Sequence, residues 1–140
     1  MKKFLSLVAG AASLIVVNLA RADVDVSPAG VWRTEGRAYH YRIARCGEFW
    51  CVFLAWAADN VLDTENPDPA LRNRRIIGIR VVGDAIADGE NRWKGTGYWY
   101  GNGNTYTGYV ELIDKNTLRA WGCVGMACVN TNLYRLNPID

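Results

Sequence analysis

The sequence has 140 residues, enough for one domain and too few for two of ordinary size. Half of the residues are hydrophobic and 21% are charged, which excludes a disordered or fibrous chain. Three of the 16 Lys and Arg residues lie in an N-terminal leader and none of the 14 Asp and Glu residues does, so the remainder is close to neutral. We therefore expect no nucleic-acid partner, since nucleic-acid binding needs a strongly basic face.

Residues 1–22 have the features of a signal peptide. Lys2 and Lys3 form a basic start, residues 4–20 carry no charge, and Ala20 and Ala22 supply the small side chains that signal peptidase reads. We expect cleavage before Asp23, which leaves one domain of residues 23–140 in the periplasm or outside the cell. The alternative is a retained transmembrane anchor, but the uncharged run is at the short limit for crossing a bilayer. We therefore expect no membrane span after cleavage.

All four cysteines lie beyond the leader, in two Cys-x4-Cys pairs made of Cys46 with Cys51 and Cys123 with Cys128. Disulfides are the usual state of cysteines in an exported domain, and four cysteines allow three pairings. A zinc site with four cysteine ligands is compatible with the spacing, but an oxidising compartment disfavours it.

Short runs rich in Val, Ile, Tyr, Trp and Thr alternate with Gly, Asn and Asp clusters, which predicts β-strands. A longer connection, residues 58–75, contains two prolines and predicts a single helical turn around residues 69–73. The predicted strands are Val31–Glu35, Tyr39–Cys46, Cys51–Ala57, Ile76–Gly83, Arg92–Tyr100, Thr105–Ile113, Thr117–Cys123 and Cys128–Leu136.

Eight consecutive strands with mostly short turns predict an all-β, antiparallel up-and-down barrel, because closure removes the exposed edges. Successive turns then alternate between the two ends, so the two cysteine hairpins are about one strand length, ~20 Å, apart. A disulfide cannot span that distance. The topology therefore favours the local pairs Cys46–Cys51 and Cys123–Cys128.

Local pairing also predicts which side chains face inward. If Cys46 lies opposite Cys51, then Tyr41 lies opposite Trp56, on the other face from the cysteines. The residues predicted to face inward are Tyr41, Ile43, Val52, Leu54 and Trp56 from the first cysteine hairpin, and Leu118, Ala120, Val129, Leu133 and Arg135 from the last.

An arginine inside a barrel needs a partner. For Arg135 we predict the ring of Trp32, at the end of the barrel opposite the long connection.

The long connection combines acidic and basic residues. Residues 63–68 contain three carboxylates, but the spacing of a calcium loop and its central glycine are absent, so we interpret the segment as a capped turn and expect no metal. Arg72, Arg74 and Arg75 could bind a carboxylate or phosphate at the barrel mouth. We favour the alternative in which they pair with the acidic residues of the same connection and fold it.

The interior of the predicted barrel has two interpretations. The sequence has 6 Trp, 7 Tyr and 3 Phe residues, and all of them except Phe4 lie beyond the leader, where they can line a pocket or fill the barrel completely. Gly95, Gly97 and Gly108 either leave space or merely permit the strands to coil. The single histidine, His40, has no nucleophile at a motif spacing, and we interpret it as a surface residue.

The sequence resembles known proteins in two respects. Gly30-Val31-Trp32 and the late Tyr134-Arg135 resemble the Gly-x-Trp motif and the closing arginine of lipocalin-like barrels. Nearly the whole mature chain is similar to an uncharacterised bacterial secreted family, domain of unknown function 2147. The segments that carry this resemblance are Gly30-x-Trp32, Arg45-Cys46-Gly47 with Cys51, Asn66-Pro67-Asp68-Pro69-Ala70-Leu71-Arg72-Asn73-Arg74 with Gly78, Trp93 with Gly95, Tyr106, and Gly122-Cys123 with Cys128.

The resemblance implies export and a calycin-like β-barrel, and it transfers no catalytic residue. One departure is Leu133, where the family usually has a tryptophan two residues before the closing arginine.

We therefore expect a periplasmic or secreted lipocalin-like barrel that binds a small, largely apolar ligand, with or without an anionic group. We expect no enzyme activity, cofactor or metal site. The alternative is a packed barrel that acts through its loops as an envelope interaction module or as an inhibitor of another envelope protein. The predicted ligand-binding residues are Tyr41, Leu54, Trp56 and Ile79 in the wall and Arg72, Arg74 and Arg75 at the mouth.

Overall fold

The computed structural model describes residues 27–140 except residue 125, so the predicted signal peptide lies outside the described residues. Each strand pairs antiparallel with its neighbours in sequence, and the last strand pairs with the first, which closes the sheet into a barrel. The predicted fold class is confirmed. The strands are β1 (Gly30–Thr34), β2 (Tyr39–Cys46), β3 (Phe49–Ala57), β4 (Arg80–Ala87), β5 (Arg92–Trp99), β6 (Asn104–Asp114), β7 (Thr117–Val124) and β8 (Ala127–Arg135).

The two ends of the barrel differ. One end, which we call the open end, carries the long connection of residues 58–79 between β3 and β4 together with the β1–β2, β5–β6 and β7–β8 turns. The other end, the closed end, carries the remaining three turns and both termini of the barrel. Within the described part of the chain, no helical segment has the length and hydrophobicity needed to cross a bilayer.

The single helical turn predicted in the long connection is confirmed as a 3-10 turn, Pro69–Leu71. Asp68 precedes it, and its side-chain oxygen accepts a hydrogen bond of 3.0 Å from the backbone N–H of Ala70. Proline occupies the first position of the turn, where its missing N–H costs no hydrogen bond.

The closed end is filled by apolar side chains. We call this cluster the closed-end core; its buried members come from five strands and are Trp32, Ile43, Leu112, Leu118 and Leu133. These residues alternate with outward-facing neighbours along their strands, so the barrel interior is packed solid at this level.

Arg135 holds the closed end together. Its guanidinium carbon lies 4.2 Å from the ring centroid of Trp32, so the predicted cation–π pair is confirmed. Its nitrogens donate hydrogen bonds to three backbone carbonyls, those of Ala29 (2.6 Å), Lys115 (2.9 Å) and Ser27 (3.2 Å). One side chain therefore ties β8 to the segment before β1 and to the β6–β7 turn.

Both disulfides join local pairs, as predicted, so no four-cysteine zinc site forms. Cys123 and Cys128 lie directly opposite each other, with 4.0 Å between their Cα atoms. The register of the other hairpin differs from the prediction, because Cys46 lies opposite Phe49 and bonds diagonally to Cys51 across 5.8 Å. A shift of two residues keeps the side chains from Tyr41 to Leu54 on their predicted faces.

The inward position predicted for Trp56 is wrong. The β2–β3 register shifts between His40 and Tyr41, so that Tyr41 lies opposite Leu54 while Trp56 lies opposite His40. This bulge turns Trp56 to the outer face, where it is 42% exposed and its ring centroid lies 4.8 Å from that of His40.

The predicted boundaries of the fourth strand are also wrong, since the strand runs from Arg80 to Ala87. The β-branched residues Ile76 and Ile79 belong to the long connection, where their side chains are buried. Gly78 lies between them with a φ of +97°, a conformation that ends an extended segment.

At the last hairpin, the inward faces agree with the prediction. Leu118, Leu133 and Arg135 are buried, and Ala120 packs against the closed-end core. Val129, nearer the open end, lines an interior cavity but is 74% exposed.

Replacing Arg135 with lysine tests the role of the guanidinium group. A lysine has one nitrogen and cannot serve three carbonyls in different directions, so R135K should lower the free energy of unfolding by about 2–3 kcal/mol. The matched control is R33K, because Arg33 lies 5.0 Å over the ring of Tyr134 on the neighbouring outer face. Urea unfolding should show a change below about 1 kcal/mol for R33K, and equal losses in the two variants would contradict this role.

Candidate functional site

The barrel contains a cavity of about 330 Å³ between the closed-end core and the open end. Most of its lining comes from β5 to β8, with contributions from β3 and β4. Aromatic, aliphatic and glycine residues predominate. The lining residues are Val52, Val82, Ala85, Trp93, Gly95, Gly97, Tyr98, Trp99, Tyr106, Thr107, Gly108, Tyr109, Val110, Ala120, Trp121, Gly122, Val129 and Thr131.

The wall of the cavity contains three glycines that lie side by side. Gly95 of β5 lies directly opposite Gly108 of β6, and Gly108 lies directly opposite Gly122 of β7. Gly95 and Gly122 are each two residues from an inward neighbour packed against the closed-end core, Trp93 and Ala120 respectively. Gly108 pairs with both glycines, so all three are on the inward face. We call these three residues the glycine row. The wall at Gly108 and Gly122 is therefore bare backbone. On β5 the bare stretch lies at Gly97, because Val82 and Ala85 of β4 pack against Gly95.

At Gly108 the fold itself does not require glycine. Its φ is not positive, and a Cβ built on its backbone would meet only the carbonyl oxygen of Trp121, at an ordinary distance of 3.7 Å. Gly97, one inward position nearer the open end, is similar, with its nearest contacts at 3.8 Å.

The sequence left open whether Gly95, Gly97 and Gly108 make space or permit coiling. Gly97 and Gly108 have room for a side chain and line space. A Cβ at Gly95 would lie 3.0–3.1 Å from Val82 and Ala85, so glycine there permits close packing against β4.

Larger side chains bound the glycine row on either side. Toward the closed end, Trp93, Val110 and Ala120 lie opposite one another in the next layer and form the floor of the cavity. Toward the open end, Tyr106 lies two residues from Gly108, and its hydroxyl is hydrogen-bonded to the side-chain amide of Asn102.

The long connection fills the other side of the open end. We call its apolar cluster the loop cluster; it joins Leu54 and Ala57 of β3 to Ile76 and Ile79 of the connection. The phenol groups of Tyr39 and Tyr100, which pack against it, are hydrogen-bonded at 2.9 Å. The cavity is thus confined to the half of the barrel that the connection does not occupy.

A buried carboxylate anchors the long connection to β5. The side chain of Asp63 is completely buried and accepts hydrogen bonds from Tyr98 Oη (2.5 Å), Asn66 Nδ2 (2.8 Å) and Arg74 Nε (3.0 Å). A second nitrogen of Arg74 lies 3.0 Å from the same carboxylate oxygen. The wall of the cavity and the connection are therefore joined through Tyr98, which lines the cavity and donates a hydrogen bond to Asp63.

Electrostatics favour the charged form of Asp63. Burial by itself raises the pKa of its carboxyl, but the hydrogen bonds from Tyr98, Asn66 and Arg74 and the charge of Arg74 outweigh burial and hold that pKa below its usual value. Burial and the hydrogen bond to Asp63 raise the pKa of Tyr98 to about 12, so Tyr98 remains a neutral donor.

None of the seven predicted ligand-binding residues lines the 330 Å³ cavity. Leu54 and Ile79 are buried members of the loop cluster, Tyr41 packs against that cluster, and Trp56 faces outward. Sequence patterns identify a buried apolar face more readily than an empty one, which explains why these four residues carry the prediction.

The three predicted mouth arginines make contacts within the long connection. Arg72 donates to the carbonyl of Asn66 (2.8 Å), Arg74 pairs with Asp63, and Arg75 donates to the carbonyl of Asn60 (2.9 Å). These contacts favour the alternative in which the arginines fold the connection. Arg75 also borders a second, more open cavity of about 530 Å³, together with Val61, Leu62, Thr64, Glu65, Tyr100 and Gly101.

The closed barrel with an interior cavity defines a lipocalin-like protein. Among solved structures, protein HP1028 from Helicobacter pylori, described as belonging to the lipocalin family, is similar with a TM-score of 0.71. The two are 22% identical, over 80% of this chain and 84% of that chain, which shows a common fold.

The family model described as "Uncharacterized protein conserved in bacteria (DUF2147)" matches residues 30–135, and the chain belongs to this family. The resemblance visible in the sequence is thereby confirmed. No curated protein matches the chain.

The Asp63 contacts predict a specific acid sensitivity. Because folding lowers the pKa of Asp63, its contribution is present above the pKa of the unfolded chain, about pH 4, and is lost as the pH falls below it. D63N should lower the free energy of unfolding at pH 7 by about 3 kcal/mol and should lose less stability than the wild type between about pH 4 and pH 2.

Urea unfolding at a series of pH values measures both effects. The control is D59N, at an exposed residue of the same connection, which should keep the acid sensitivity of the wild type. If the free energy of unfolding falls equally with pH in D63N and the wild type, a group other than Asp63 causes the acid sensitivity, and this prediction is contradicted.

Proposed function

We propose that the protein binds a small, largely apolar molecule in the cavity beside the glycine row, and that it acts as a binding protein rather than an enzyme. The observation that carries this proposal is an interior cavity of about 330 Å³ whose lining is aromatic, aliphatic and glycine apart from Thr107 and Thr131. Ligand sites in proteins are concave and mostly apolar, and the mouth of a β-barrel is one of their usual positions.

The size of the cavity suits a small molecule. An apolar cavity of about 150 Å³ accepts benzene. A volume of about 330 Å³ is roughly twice as large. The ligand is therefore larger than one ring and smaller than the usual lipid.

The residue choice at Gly108 supports a binding role. Glycine weakens the interior of a strand, and one of the reasons it occurs there is the close approach of a ligand to the backbone. Neither the backbone conformation nor the packing of the chain requires glycine at this position. Glycine at position 108 therefore lowers the stability of the strand without a structural need, and a ligand bound in the space would explain its presence.

We propose that the barrel is exported to the periplasm or the cell exterior. The sequence of residues 1–22 and the presence of two disulfides support this location. The anionic group considered for the ligand has less support, because the three arginines that would bind it contact groups within the long connection.

The alternative function, a packed barrel that acts only through its loops, needs a filled interior. The cavity beside the glycine row favours ligand binding over this alternative.

Native mass spectrometry of the protein purified from its host tests the proposal. We expect a bound small molecule on the wild type and its loss from G108V, because a valine at the centre of the glycine row occupies the cavity and is favourable in a strand. The matched control is G36V, since a Cβ at Gly36 meets no atom within 4 Å and Gly36 lies outside the cavity lining.

Thermal unfolding should show that both variants are folded. The proposed function would be contradicted if native mass spectrometry finds no small molecule on the wild type and if the purified protein also fails to enhance the fluorescence of an apolar dye.

A further inference from the structure

We propose that the ligand is a planar molecule of two or three fused aromatic rings, which lies flat against the bare backbone of the cavity wall at the glycine row. This inference rests on the proposed function and specifies the class of its ligand.

The depth of the cavity excludes a long chain. Its floor is the layer of Trp93, Val110 and Ala120, and the closed-end core fills the barrel below that layer. From Gly108 to the first residue of β6, Asn104, the wall is four residues high, about 13 Å. An extended acyl chain of the usual membrane-lipid length therefore has no room along the barrel axis.

The width of the bare wall matches a fused ring system. Neighbouring strands lie about 4.8 Å apart, so the bare backbone at Gly97, Gly108 and Gly122 spans about 10 Å from β5 to β7. The peptide groups of a sheet present a nearly flat surface where no side chain stands on it, and glycine permits a ligand to approach that surface closely. Two or three fused rings cover such a surface along their full length.

Aromatic side chains stand at the ends of this wall. Trp93 lies on the floor side of Gly95 on β5, and Tyr106 lies on the open side of Gly108 on β6. The hydrogen bond from Asn102 to the Tyr106 hydroxyl restrains that side chain. A ring on the glycine row therefore has aromatic neighbours on two of its edges, and such edge contacts stabilise it beyond the area that it buries.

Two probes with the same number of non-hydrogen atoms and one hydroxyl group each separate a ring from a chain. These probes are 2-naphthol and 1-decanol, and isothermal titration calorimetry of the purified protein measures both dissociation constants. We expect 2-naphthol to bind at least tenfold more tightly, although decanol is the more flexible and the more easily accommodated shape.

The variant G108A places a single methyl group on the glycine row. It removes little volume, so a flexible chain bends around it, whereas a flat ring is lifted off the wall. We expect G108A to weaken the binding of 2-naphthol at least fivefold and that of decanol less than twofold. The matched control, G36A, should leave both constants unchanged, and thermal unfolding should show that both variants are folded.

The outcomes distinguish this inference from the function on which it rests. Decanol binding as tightly as 2-naphthol, or equal losses for both probes in G108A, would overturn the planar-ring inference while leaving an apolar binding site. Failure of both probes to bind the wild type would overturn the proposed function as well.

Discussion

The pairing register of β5, β6 and β7 is the constraint on which the interior of the barrel depends. It places Gly95, Gly108 and Gly122 in one row and faces all three inward. A slip of one residue in any of these pairs would send a glycine outward and replace it with a large neighbour such as Tyr109 or Trp121. In a closed barrel each strand is held by two partners, so the register of one pair is fixed by all the others. The cavity is therefore a property of the whole sheet.

Two groups of side chains divide the space that the sheet encloses. The closed-end core fills one end, where Arg135 joins the termini of the barrel through three backbone carbonyls and the ring of Trp32. The loop cluster fills part of the other end, where Asp63 ties the long connection to Tyr98 of β5. What remains is a short, wide space bounded by bare backbone. The closed-end core and the loop cluster set the dimensions of this space, and those dimensions determine which ligand fits.

The sequence predicted the features that depend on local pattern and topology. Strand periodicity predicted the barrel, turn alternation predicted the local disulfides, and the inward position of Arg135 predicted its contact with Trp32. Trp56 was misplaced because a bulge reverses the alternation of β3, and sequence alternation carries no signal for a bulge. The cavity was missed for a different reason. The sequence left open whether Gly95, Gly97 and Gly108 make space or permit coiling, and the alignment of Gly95 and Gly108 with Gly122 depends on the register of two hairpins, which sequence alternation does not determine.

The amide signals of the glycines provide the most direct test of the central claim, that an apolar ligand occupies the cavity at the glycine row. A nitrogen–proton correlation spectrum of the protein resolves glycine amides in a region of their own, and titration with 2-naphthol reports which of them the ligand reaches. We predict that the signals of Gly95, Gly97, Gly108 and Gly122 shift together and saturate, while those of Gly36 and Gly47 remain in place. Saturable shifts confined to glycines outside the barrel interior, with the glycine row unchanged, would contradict the account.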